Sequence, residues 1–429
     1  MENKNIDKIE QPQDKIKLDL KYILNIIKQS GIHSIKIFLI IVGIRGTFNI
    51  LLKSLTNRGK GLKLSDIYNK DIRNSGLFFS NFILSWNTLS RVLPFYIKDK
   101  KYANFLSGFL SGAFVLWERK DRRISFSHQL SMRAAQSIYH SLYSKNLLRI
   151  PYGDVILFTF STAQILYSYV MQFETLDPSI YKFMIRHALI PHSILQINRK
   201  IVRGQKIDVD HLTDLVEGMN VTAENLDILK NLDDSPITLP CKAYHPNITS
   251  CNYTLLNRLI LVFKMISPIY AGLTFLPAIF LRFNNFKRSP SEILKRCFYG
   301  TIRSSAFLAI LVSTYQFMIC NAHALQTKYN IKDNKYIYYF AGIISGLASV
   351  LVEKPSRRAE LALYTTPKAL DSFYHILYKK DWIFYIPHFE SFLFMIASGI
   401  TMMYFKKEPE TISPLLKWLL IRFIGKNTK

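Results

Sequence analysis

The sequence predicts an all-α, polytopic integral membrane protein made of two parallel repeats of about four transmembrane helices each. Three observations carry that prediction. The chain is 49% hydrophobic and 20% charged, yet its charges are gathered into blocks. Between the blocks lie apolar runs of roughly 17 to 23 residues, the length of helix that crosses a hydrocarbon core of about 30 Å. Finally, one pattern occurs twice, about 235 residues apart. Ser107, Gly108, Ser111 and Gly112 open a stretch that runs into Trp117-Glu118-Arg119-Lys120-Asp121-Arg122-Arg123. Gly342, Ser345 and Gly346 open another that runs into Val352-Glu353-Lys354-Pro355-Ser356-Arg357-Arg358. Tyr139-His140 then matches Tyr374-His375, and Pro151, Asp154 and Pro178 match Pro387, Glu390 and Pro414 without a gap. Such echoes mark duplicated supersecondary units, which in membranes often build a pathway at the repeat interface.

Taken in order, residues 1–34 form a polar lead with an interfacial helix around Leu18–Ile27. The lead lacks the apolar core of a secretory signal. Glu2, Asp7, Glu10, Asp14 and Asp19 make it too acidic for a mitochondrial presequence, so insertion is expected to rely on the first membrane segment. The first repeat covers 35–190, with apolar runs at 35–52, 76–97, 102–117 and 153–173. Residues 191–254 read as a soluble linker. Within it Asp208–Lys230 has the spacing of a small helix pair, ended by Ser235-Pro236 and Leu239-Pro240. The second repeat covers 255–429, with runs at 259–281, 299–320, 336–352 and 386–405. Four crossings per half make both halves enter the membrane in the same direction. The loops 53–75, 118–152, 282–298 and 353–385 then share one face and hold 24 Lys and Arg. The positive-inside rule turns that face to the cytosol.

Gly108 and Gly112, and Gly342 and Gly346, lie four apart on one face of a helix, the small-residue spacing that lets helices approach closely in lipid. Arg122, Arg123, Arg357 and Arg358 are candidates for contact with phosphate headgroups or other anions, because guanidinium groups bind such groups bidentately. Positive anchoring of the topology explains them equally well. They precede the segments 124–144 and 359–378, whose helical spacing of apolar residues points to helices lying in the interface. Arg45, Arg91 and Lys264 fall inside apolar runs, where charge is costly and marks a polar pathway unless paired or snorkelling. Asp154 and Glu390 begin matched helices, where a carboxylate favours the exposed amides. His140 and His375 read as interfacial residues.

Cys241 and Cys251 stand ten apart with His245 between them. A disulfide or a partial metal site fits that spacing, as do two ordinary loop cysteines. Two thiols and one imidazole do not complete a tetrahedral zinc shell, so no metal and no cofactor is expected. The sequons at Asn220, Asn247 and Asn252 arise readily by accident in an Asn-rich chain. The net charge of +26 fits basic loops beside anionic headgroups. No zinc-finger spacing, ribonucleoprotein motif or Arg/Gly tract accompanies it, which excludes nucleic acid as the partner. Nucleophile elbows, phosphate-binding loops, dinucleotide glycines and HExxH motifs are also missing from the sequence, so nothing calls for an enzyme.

The run from Gly108 to Arg186 resembles one half of the transmembrane protein 135 family, most specifically in Glu174-Thr175-Leu176-Asp177-Pro178-Ser179 followed by Lys182-Phe183. Glu353-Lys354-Pro355-Ser356-Arg357-Arg358 resembles the other half, and the stretch from Cys241 to Cys251 is similar to the family's cysteine-rich region. The halves stand in the opposite order here, as though circularly permuted. That family has in turn a distant likeness to the inner-membrane translocase subunits of mitochondria. The resemblance implies a multispanning protein of peroxisomal or mitochondrial membranes concerned with organelle organisation and with fatty-acid or cholesterol handling. It implies membrane lipids as partners, beside further copies of the chain or other organelle membrane proteins. The rival expectation is a transporter or translocase-like pore.

Overall fold

The computed structural model describes residues 20–56, 68–281 and 289–424, and among them all regular structure is helical. The polar lead through residue 19 and the basic-loop stretches 57–67 and 282–288 lie outside the described residues. In chain order the helices are α1 (Leu20–Thr56), α2 (Lys70–Tyr96), α3 (Lys100–Gly112), α4 (Lys120–Ser144), α5 (Gly153–Met171), α6 (Pro178–Ala188), α7 (His192–Val202) and α8 (Val209–Glu217). They continue as α9 (Ala223–Lys230), α10 (Cys251–Leu281), α11 (Pro290–Tyr329), α12 (Lys335–Val352), α13 (Pro355–Lys379), α14 (Phe389–Lys407) and α15 (Pro414–Ile424).

Local chemistry sets many of the boundaries. Asn69, Asp99, Asp177, Asp208, Thr222 and Asn334 cap α2, α3, α6, α8, α9 and α12 by accepting from backbone amides of the first turn. Pro178, Pro290 and Pro355 occupy first turns, where the missing N–H costs nothing.

Five of these helices are long and apolar enough to cross a membrane: Ile23–Ile50 within α1, Gly153–Met171, Cys251–Leu276 within α10, Pro290–Tyr329 and Lys335–Val352. The expected runs at 76–97, 102–117 and 386–405 are not among them. Asn81, Asn87 and Arg91 dilute α2; α3 tightens into a 3-10 turn at Ala113; α14 ends in Lys406 and Lys407.

The chain divides into two compact units, Met1–Arg149 with Ile386–Lys429, and Ile150–Tyr385. These units do not coincide with the two sequence halves. In the first unit α1 packs on α2, α2 on α3, and α14 lies between α3 and α4. A Cβ on Gly108 would stand 2.8 Å from the Ser398 carbonyl oxygen, and one on Gly112 2.8 Å from Met395 Cα. In the second unit α10 packs on α11, α11 on α12, and α5 lies between α12 and α13. There a Cβ on Gly342 would stand 2.7 Å from Ala163 Cα, and one on Gly346 3.3 Å from the Thr159 carbonyl oxygen.

The segments expected to lie in the interface do something else. α4 runs beside α14 from Arg123–Glu390 (3.6 Å) to Lys145–Glu408 (2.9 Å). α13 runs beside α5, joined by Ser161–Thr366 (2.9 Å), Ser168–Ser372 (2.7 Å) and Glu174–Lys379 (3.1 Å). On α13 the hydroxyls of Thr366 and Ser372 meet partners on or just beyond α5 rather than headgroups. Residues 191–254 likewise share one apolar core with α5, α11 and α12, built on Ile194, Leu195, Leu212, Leu229 and Leu239 against Tyr315 and Tyr338.

Candidate functional site: an apolar cavity and a Cys/His cluster

The second unit holds a partly open cavity of about 480 Å³, within the range of roughly 300–1,000 Å³ typical of small-molecule sites. Phe158 and Leu166 of α5, Phe183 of α6, Leu311 and Val312 of α11 and Leu361 of α13 give it an apolar wall. The apolar residues follow from the helices' own periodicity: each presents one face to the shared core and another to the cavity.

Arg258, two turns into α10, is the exception in that wall. It is 8% exposed, and its terminal nitrogens donate to the carbonyls of Leu189 and Tyr244, both at 3.2 Å. Nε has no partner, and no described carboxylate pairs with this guanidinium. The neighbouring Tyr169 hydroxyl, also on the wall, is buried without a partner. A buried cation is normally paired, so this arrangement is chemically suited to an anionic group entering beside an apolar chain.

Four metal-ligating side chains cluster beside this cavity, and His245, Cys251 and Cys320 line it. Cys241 sits in the 3-10 turn Cys241–Ala243, His245 follows it, Cys251 opens α10, and Cys320 comes from the middle of α11. Their ligand atoms all lie within 4.8 Å of one another. Cys241 Sγ is 3.3 Å from Cys251 Sγ, and Cys251 Sγ is 3.5 Å from His245 Nε2. His245 Nδ1–H donates to the Ile248 carbonyl at 2.8 Å. The Cys320 thiol, opposed by burial and helped by His245 and Cys251, pulls the Cys241 thiol down to about 4. Behind the cluster, His323 donates from Nδ1 to the Leu239 carbonyl at 2.9 Å and meets the Tyr338 hydroxyl at 3.1 Å. Tyr338 donates in turn to Asp333 at 2.7 Å.

The residues singled out in the sequence are placed as follows. Arg122 bonds Ser75 at 2.8 Å and lies 3.2 Å from Glu118 and 3.5 Å from Asp71. Arg45 lies 3.6 Å from the same Glu118, whose side chain is fully buried, and also bonds Ser75. Arg123 faces Glu390. Arg357 pairs with the buried Glu353 at 3.5 Å and bonds Ser304. Arg358 donates to the Glu353 and Leu351 carbonyls at the end of α12. Each of these arginines is thus engaged by protein groups at a helix break. Arg91 is half-buried within electrostatic reach of Lys406, and Lys264 is exposed on α10. His140 donates from Nδ1 to the Thr411 carbonyl (2.9 Å), and His375 lies 3.8 Å from Asp371.

Arg258 and Cys320 are the two residues that reading the sequence missed. Arg258 stands one position before the run 259–281 and passes for a flanking charge. Cys320 lies 69 positions beyond Cys251, with no motif linking them. No family model matches the chain, and no solved structure matches it.

Proposed function

We propose that this chain is a non-enzymatic integral membrane protein that binds a lipid with one long apolar chain and an acidic head, the fatty-acid class, in the cavity of its second unit. The observation that carries the reading is Arg258, buried and without a carboxylate partner on the wall of an otherwise apolar cavity. A carboxylate there gains a charge-assisted hydrogen bond worth about 1.5–3 kcal/mol, and the chain fills space lined by Phe158, Leu311 and Leu361.

The membrane reading draws support from the outer surface. Leu39, Ile44 and Phe48 of α1 and Ile260, Leu273 and Leu276 of α10 are exposed, while serines and threonines join helices inside. Large exposed apolar faces call for a covering phase, and small polar contacts between helices are what lipid favours. The units also read as permuted copies of one five-helix motif, α14 closing the first as α5 opens the second. A place in peroxisomal or mitochondrial membranes, in lipid handling, follows from the resemblance to the transmembrane protein 135 family. The pore reading has less behind it, because Arg45 is tied to Glu118 and Lys264 points away from its unit's interior.

The test is photo-crosslinking of detergent-purified protein with a diazirine-bearing palmitic acid, competed by the free acid or its methyl ester. The acid should label peptides of α5, α10 or α11, and Arg258→Gln should weaken its binding at least about 10-fold while leaving the ester's unchanged. Equal binding of acid and ester, or an unchanged Arg258→Gln variant, would overturn the proposal.

A further inference from the structure

We propose that Cys241, His245, Cys251 and Cys320 bind one zinc ion, which staples the 241–250 loop and the start of α10 to the middle of α11. Four protein ligands of Cys3His type make a closed, structural zinc site. With zinc–sulfur bonds of about 2.3 Å and a zinc–nitrogen bond of about 2.0 Å, ligand atoms on a tetrahedron are separated by about 3.5–3.8 Å. The contacts of 3.3 and 3.5 Å, with all four atoms inside 4.8 Å, need only small side-chain adjustments to reach that figure.

The histidine is already set for the task. Donation from Nδ1–H to the Ile248 carbonyl fixes the tautomer and leaves the Nε2 lone pair facing the three sulfurs. Metal-ligating imidazoles are held by this kind of outer hydrogen bond. Soft thiolates select zinc over the hard divalent cations. With all three cysteines bound as thiolates, the zinc site carries a net charge of minus one.

Burial agrees with a structural role. His245 and Cys320 are almost wholly enclosed, and the loop between Pro240 and Ser250 has little regular structure to hold its shape. A disulfide is the competing outcome for Cys241 and Cys251. It would leave Cys320 and the oriented imidazole without a purpose.

The full-length protein, purified without a polyhistidine tag or chelator, should contain one zinc per chain by elemental mass spectrometry. Cys320→Ser and His245→Ala should each lower that content several-fold. Cys297→Ser, which alters a buried cysteine on the same helix outside the cluster, should keep it. Replacement of the metal by cobalt should give the intense visible bands of a tetrahedral thiolate site, a readout that does not depend on any variant folding. Metal-free protein carrying a Cys241–Cys251 disulfide, zinc content unchanged in Cys320→Ser, or an octahedral cobalt spectrum would each overturn the inference.

Discussion

Replacing Gly342 by alanine isolates the helix contact on which the second unit depends. The added Cβ would lie 2.7 Å from Ala163 Cα and 3.2 Å from both Ala163 Cβ and its carbonyl oxygen. Carbon–carbon contacts settle at about 3.5–4.0 Å, so α12 and α5 must separate by about 1 Å. Backbone atoms form the obstacle, and no flexible side chain can turn aside. Overpacking of this kind costs about 1–3 kcal/mol. Against it stands the helix-propensity gain of Gly→Ala, about 0.5–1 kcal/mol, so a net loss of about 1–2 kcal/mol is expected. Gly43 of α1 provides the control, because nothing stands within 4 Å of a Cβ built there; Gly43→Ala should keep the propensity gain and be slightly stabilising. Gly346→Ala, whose nearest obstacle is at 3.3 Å, should fall between them. Unfolding in mixed micelles, followed by circular dichroism, ranks the three. A Gly342→Ala protein as stable as Gly43→Ala would refute the reasoning.

Four further outcomes follow from the polar contacts. Arg122→Met removes the closest partner of the fully buried Glu118 and leaves only Arg45 at 3.6 Å, so it should lower the unfolding midpoint clearly, by about 1–3 kcal/mol. Arg119→Met breaks a pair whose arginine is 57% exposed and should leave the unfolding midpoint nearly unchanged in the same assay. Glu408 is drawn down to about 2, first by the Ser141 hydroxyl and then by Lys145. Its folded value lies below its ordinary 4.5, so its stabilisation is present above that value and fades as pH falls toward 2. The stability gap between the protein and Glu408→Gln should therefore shrink over that interval, and a gap that widens on acidification would contradict it. Tyr338→Phe leaves Asp333 and His323 short of a partner and should cost about 1–3 kcal/mol, read as a lower unfolding midpoint.

The sequence-level reading succeeded where a signal is local and periodic. Gly108, Gly112, Gly342 and Gly346 were visible as small residues four apart, and the structure shows tight contacts at all four. What the spacing did not reveal was the partner, since packing on α14 and α5 depends on which distant helix returns to the groove. Hydropathy also under-read α4 and α13. Their serines and threonines look interfacial, yet α4 packs along α14 and α13 along α5, where Thr366 and Ser372 bond hydroxyls of the facing residues.

The cavity and its cluster were illegible for a different reason. Cys241, His245 and Cys251 fall within eleven residues, and a three-ligand set is incomplete on its own terms. The fourth ligand sits on α11, and only the hairpin of α10 and α11, packed along their length, returns it to the loop. Arg258 is explained by the same fold. Its guanidinium reaches the Leu189 carbonyl at the end of α6 and the Tyr244 carbonyl beside His245, two points brought together by the 191–254 stretch. That stretch reads as a linker because it is polar, but Leu195, Leu212 and Leu239 bury it in the second unit's core. Stability and site are therefore coupled here. A change that loosens the Cys241–Cys251 loop should move Arg258 and the cavity wall with it, so loss of zinc and weakened acid binding should appear together in Cys320→Ser and separately in Arg258→Gln.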